Sequence, residues 1–213
     1  MFRPSAAAAG AALLLASCGP DTLALPEEMV DRAATCGVVA AAEARAATPD
    51  IKQSLPFTAQ GRIVHYAMLA GAQGEEFAAD TASAVSKRMS DLQEQITEGK
   101  WQELAPACRQ AFPQAEIAEP KLPGERFEAQ LACDEVGDFL SSALSSQESE
   151  YGNQLAEYSK LASKLDDTLG PGLRARAGGD LEAQQKVRRE ALAGAAKLGS
   201  PMGLMRQCVE RYG

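Results

Sequence analysis

Histidine is almost missing from this chain: one residue, His65, in 213. Tryptophan is equally scarce, at Trp101, and aromatic residues make up only 5%. Imidazole supplies most metal ligands and most acid–base chemistry near neutral pH, so a histidine-built metal centre is excluded at the outset. Cysteine does not replace it. No two of the five cysteines lie close enough for a C-x2–4-C metal knuckle or a C-x-x-C redox pair. Basic residues are outnumbered, 21 against 29 acidic, for a net charge of −8. Nucleic acid is therefore a poor partner, because neutralising phosphates requires clustered Lys and Arg. The apolar stretch Ala6–Ala16 is too short to cross a bilayer as a mature helix. Val and Ile are sparse, whereas Ala, Leu, Glu, Gln, Lys and Arg are plentiful, which leaves little material for a sheet. The composition predicts an all-α protein with no cofactor and no resident metal.

What is present begins at the amino terminus. Arg3, the apolar stretch Ala6–Ala16 and the small residues that follow have the charged–apolar–small order of a secretory signal. Leu15-Ala16-Ser17-Cys18 resembles the lipobox of bacterial lipoproteins: a Leu, two small residues, then the cysteine that is acylated. The resemblance covers the first eighteen residues and no more. It implies removal of residues 1–17, a diacylglyceryl thioether on Cys18 and an acyl-anchored, palmitate-bearing chain in the cell envelope, facing the periplasm. In that family an Asp directly after the cysteine favours the inner membrane. Gly19 occupies that place here, which points to the outer membrane. The alternative is an ordinary signal peptide cut near Leu23-Ala24.

Beyond Cys18 the chain reads as two versions of one unit. Pro26 precedes Cys36 by ten residues, as Pro123 precedes Cys133, and Val39 matches Val136 at the same offset of 97. Farther on the offset is 100: Asp80 with Asp180, Arg88 with Arg188, Gly99 with Gly199, Cys108 with Cys208, Phe112 with Tyr212. Between these blocks, the segment around Tyr66 matches that around Tyr158 at an offset of 92. Such ordered self-similarity is the mark of a duplication, with gaps placed in the loops. The expected organisation is a lipidated N-terminal linker over 18–25, unit 1 over 26–112, a linker over 113–123 and unit 2 over 124–213.

Each unit is expected to hold about four helices. First helices open at the prolines, near 26–47 and 124–147, where a missing N–H costs nothing. Second helices lie near 59–72 and 150–169; in the latter, Leu155, Tyr158, Ala162, Leu165 and Leu169 form a stripe at helical spacing. Third helices near 75–98 and 172–198 follow, the first carrying Phe77, Thr81, Val85, Met89, Leu92 and Ile96. Gly170-Pro171-Gly172 and Gly178-Gly179 read as helix breaks, and Gly99 and Gly199 as helix stops. Short fourth helices near 101–111 and 201–212 carry Cys108 and Cys208, with Trp101 and Tyr212 as core packing.

Setting Cys18 aside, four cysteines in an exported chain imply disulfides. Four allow three connectivities, and the duplication selects Cys36–Cys108 and Cys133–Cys208, each joining the first helix of a unit to its last.

Little remains to carry chemistry. His65 could serve as a general base, but no nucleophile motif accompanies it, and a partly exposed helix position is expected. The pairs Glu27-Glu28, Glu75-Glu76 and Asp166-Asp167 read as helix-start or surface charges. Lys186-Val187-Arg188-Arg189, with Arg174 and Arg176, is interleaved by acids and reads as a solvated helix face. The sequence therefore points to a lipid-anchored, non-enzymatic helical module that binds another envelope protein or supports an assembly. The alternative is a periplasm-facing carrier of a small apolar ligand or lipid. A cavity lined by Leu, Met and Phe would favour the carrier.

Overall fold

Two glutamates set where the halves of the molecule begin. The Glu28 carboxylate accepts the N–H groups of Val30 and Asp31, and the Glu125 carboxylate accepts those of Phe127 and Glu128. Each satisfies donors that the first helical turn leaves unpaired. Helices α1 (Met29–Ala46) and α5 (Arg126–Ala143) start there in the computed structural model. They do not start at Pro26 and Pro123 as expected. The acid cap lies past the proline in both units, and the Arg32 side chain ties the chain ahead of the cap by donating to the carbonyls of Pro26 and Glu27. The structure describes residues 24–50 and 52–213; the expected signal peptide, the lipidation at Cys18 and most of the 18–25 linker lie outside them.

Among the described residues there are eight α-helices and no strand. Unit 1 continues with α2 (Phe57–Gly71), α3 (Ala79–Glu98) and α4 (Trp101–Ala111); unit 2 with α6 (Glu148–Ala177), α7 (Leu181–Ala196) and α8 (Pro201–Tyr212). The packing repeats with the sequence. In unit 1, α1 lies against α2, α3 and α4; in unit 2, α5 lies against α6, α7 and α8. Disulfides close both: Cys36–Cys108 joins α1 to α4 and Cys133–Cys208 joins α5 to α8. All four cysteines are buried.

The stripe on α6 runs farther than the sequence suggests. Leu161, Leu165, Leu169 and Leu173 are all buried, while Ala162 is only half-buried. Gly170-Pro171-Gly172 is no break: α6 passes through Pro171, and the third helix of unit 2 begins at Leu181 rather than 172. Burial of Leu169 and Leu173 on either side outweighs the hydrogen bond that a proline forfeits. Gly172 is required for another reason. A Cβ there would run into the Phe127 ring, which approaches the helix at this point. The helix ends instead at Gly178, whose φ of +69° closes it.

Arg188 and Arg189 are not on a solvated face. Arg188 bridges to Asp134 at 2.8 Å and Glu135 at 2.6 Å on α5, and burial pushes both carboxyls above their ordinary range, with the arginine opposing that. Arg189 pairs with Glu76 of unit 1 at 2.8 Å and with Glu182 at 3.0 Å. In unit 1, Arg88 likewise joins α3 to α1 through Asp31. Trp101 and Tyr212 are partly buried and pack on the core.

The two units share one hydrophobic core. Phe77 of unit 1 meets Phe139 of unit 2 edge-on at 5.4 Å, and Phe57 meets Tyr151 at 5.2 Å. The 113–123 segment opens with a 3-10 turn, Pro113–Glu116, and is then strapped to unit 2. The Ser200 N–H donates to the Ile117 carbonyl at 2.8 Å and the Gln207 amide donates to that of Pro120. Gly199, at φ +141°, lets Ile117 approach so closely that no Cβ would fit.

Candidate functional site: the cleft between the units

The units pack through α2 against α7 and α8, and at one end the start of α2 meets α6 through Phe57. A cleft of about 1000 Å³ opens there, between the end of α1 and start of α2 on one side and α6 and α8 on the other. Its apolar floor is Phe57, Tyr158 and Met202. The Phe57 and Tyr158 rings are 6.0 Å apart, and the Tyr158 hydroxyl donates to the Met202 sulfur at 3.6 Å. Burial, reinforced by the charge of Glu157, pushes the Tyr158 phenol up to about 12, so it stays a neutral donor.

Charged walls rise from that floor. Arg62 on α2 is shared by Glu43 at 3.0 Å and Glu116 at 2.7 Å. Arg206 on α8 is shared by Glu119 and, at 3.8 Å, Glu210. Glu43 also meets Arg109 of α4 at 3.1 Å. Glu157 lines the same cleft, is exposed and has no cationic partner among the described residues. The lining therefore holds five glutamates and two arginines.

His65 borders the cleft but is not the partly exposed residue expected. Its side chain is fully buried, 0% exposed, where α2 meets α7. Its Nε2–H donates to the Ala196 carbonyl at 2.8 Å, at the end of α7 where carbonyls lack helical partners. A carbonyl only accepts, so Nε2 carries the proton and Nδ1 keeps a lone pair, buried and without a partner. Burial lowers the His65 pKa to about 4, with the Ala196 bond opposing it. Arg62, Thr58 and Ala59 reach the cleft from the same face of α2, at helical spacing from His65.

Of the residues singled out in the sequence, only His65 and Tyr158 lie in this cleft; Glu157, beside Tyr158, was not among them. The four paired cysteines are structural and remote in role. The acidic pairs are dispersed: Glu28 caps α1, Glu76 holds Arg189, and Asp166 and Asp167 are exposed on α6. Among the described residues no group of three His, Cys, Asp or Glu side chains could hold a metal ion, and no helix is long and apolar enough to cross a membrane. Glu43, Arg62, Glu116, Glu119 and Arg206 escaped the sequence reading because they come from four separate segments and form no local motif.

No family model, curated protein or solved structure matches this chain.

Proposed function

We propose that this chain is a lipid-anchored, non-enzymatic envelope protein whose folded part is an interaction module, with the inter-unit cleft as its working surface. The observation that carries this reading is the make-up of the cleft: apolar side chains, the largest of them Phe57, Tyr158 and Met202, beside paired charges, open to solvent. Such a mixture of apolar centre and polar rim is what protein docking sites use. The buried disulfides fit an oxidising compartment such as the periplasm. His65 supports the non-enzymatic part of the reading, since a base with a pKa near 4 has little driving force to abstract protons at neutral pH.

Position along α1 adds a second support. The chain enters at Leu25-Pro26, ahead of the N-terminal end of α1, whereas the cleft is built from Ala40 to Ala47 at the other. At 1.5 Å per residue, that places the cleft roughly 17–27 Å along the helix from Met29. A tether at Cys18 therefore joins the folded part at the end of α1 opposite the cleft.

The carrier reading is second. The Phe57–Tyr158–Met202 floor favours it, but Leu is absent from the lining and charged groups ring the opening.

The anchor is tested by mass and partition. The mature chain is expected to begin at Cys18, carry the mass of its acyl chains and sediment with membranes. Cys18→Ser is expected to stay uncleaved or to be released as a soluble form. A correctly cut Cys18→Ser chain still held on membranes would refute the lipoprotein reading.

A further inference from the structure

The geometry points to a cationic amphipathic peptide segment, belonging to a partner protein, as the occupant of the cleft. This inference rests on the interaction-module reading and names the chemistry of the partner.

Charge decides the sign of the occupant. Arg62 lies between Glu43 and Glu116, and Arg206 between Glu119 and Glu210, so neither guanidinium is free to receive an anion. A carboxylate or phosphate entering the cleft would have to break those pairs and would still face Glu157. A lysine or arginine side chain meets the opposite situation. Glu157 is exposed and has no cationic partner among the described residues, and the lining holds more glutamates than arginines even though Glu43 is also neutralised by Arg109 from outside it. Long-range attraction of this sign raises the rate of encounter, and close pairing sets which partner is kept.

The floor decides that the occupant is amphipathic. Phe57 and the exposed edges of Tyr158 and Met202, with small apolar neighbours such as Ala40, Ala44 and Val209, line the cleft, and Met adapts its shape to varied side chains. Leucine-like residues spaced along one face of a peptide would cover it, leaving basic residues of the flanking positions to reach the glutamates. His65 agrees in polarity. Its residue borders the cleft and its buried Nδ1 is an acceptor that lacks a partner, so the nearest unsatisfied group is one that only a donor could meet. Anionic lipid headgroups, by contrast, would be repelled by the same walls.

The test uses the full chain in nanodiscs of neutral phosphatidylcholine, with protein-free discs as the blank. The probe is a fluorescent helical peptide made of leucine and lysine at amphipathic spacing, followed by anisotropy. Two comparison peptides replace every lysine by glutamate or every leucine by serine. The expected result is saturable binding of the Leu/Lys peptide, weakened by added salt, and weaker binding of both comparison peptides. Glu157→Lys is expected to reduce the affinity about tenfold. Its side chain is exposed and makes no hydrogen bond, so the melting temperature should stay unchanged. Glu94→Lys, the same charge change on the exposed face of α3, should leave binding as it was. Three results would overturn the inference: no saturable binding of the Leu/Lys peptide, equal binding of the Leu/Glu peptide, or equal weakening by Glu94→Lys. If the cleft cross-links to a partner in cells while the Leu/Lys peptide fails to bind, the cationic-peptide inference falls and the interaction reading stands. If neither occurs, both fall.

Discussion

Replacing Cys133 and Cys208 by alanine is expected to lower the unfolding free energy by about 4–5 kcal/mol, from the loop-closure entropy returned to the unfolded chain. The bridged residues are 75 apart, so the unfolded chain gains a large set of conformations when the link is lost. Cys36 and Cys108, 72 apart, should cost nearly the same. The loops follow one another and do not overlap, so the two losses should be nearly additive. Alanine suits both pairs because the sulfurs are buried in close-packed helix contacts and a small apolar residue leaves the least disturbance. Guanidinium unfolding of the full chain, with each pair removed in turn, measures the effect. A fall in melting temperature of about 10–15 °C per pair is the thermal equivalent for a chain of this length. A loss below about 1 kcal/mol would mean that the unfolded chain is already held compact around those residues.

These bonds were also the most legible part of the molecule. Cysteines keep their spacing through a duplication, and pairing within units followed from that alone. The all-α class followed from composition, and the α6 stripe from the three-and-four spacing of Leu155, Tyr158, Leu165 and Leu169. Misreadings arose where a local signal met a tertiary one. Pro171 looks like a break in isolation, but Leu169 and Leu173 are both buried and hold the helix through it. Pro26 and Pro123 look like helix starts, but Glu28 and Glu125 offer carboxylates to the free N–H groups two residues later. The run Lys186–Arg189 looks like a wet face, but α7 lies on α5, and Arg188 meets Asp134 and Glu135 there. The cleft was not legible at all. Its walls join residues from Glu43 to Glu210, and no spacing rule connects a surface assembled from both units.

Acidification should weaken the fold through His65 by about 3 kcal/mol on reaching pH 4. The folded chain holds the ring neutral, with a pKa near 4, because a charge would be buried where α2 meets α7. The unfolded chain binds that proton near the ordinary value of about 6.5. Between those values the unfolded state carries the extra proton, so the stability from neutral His65 is complete above pH 6.5 and declines as pH falls towards 4. Below that both states are protonated and the loss levels off. Other groups act in the same range. Burial raises Asp134, Glu135 and Asp138, which favours the folded state on acidification, whereas the N–H bonds that lower Glu125 act the other way. His65→Gln separates the effects, since it retains a donor for the Ala196 carbonyl and does not titrate. Its stability should vary less than wild type between pH 6.5 and 4. Identical pH curves for the two proteins would show that His65 is already hydrated or charged in the folded state. His65→Ala removes a buried contact between the units, so Gln is the fairer probe of function.

The central claim is that the cleft between the units is the surface through which this protein meets a partner. A photo-crosslinking residue placed at Glu157, in the cleft, and separately at Glu94, on the far helix α3, tests it in intact cells. The account expects a discrete higher-mass species from the Glu157 position, none from Glu94, and loss of that species when Cys18→Ser releases the chain from its membrane. Equal cross-linking from both positions, or none from Glu157 in a correctly anchored protein, would contradict it.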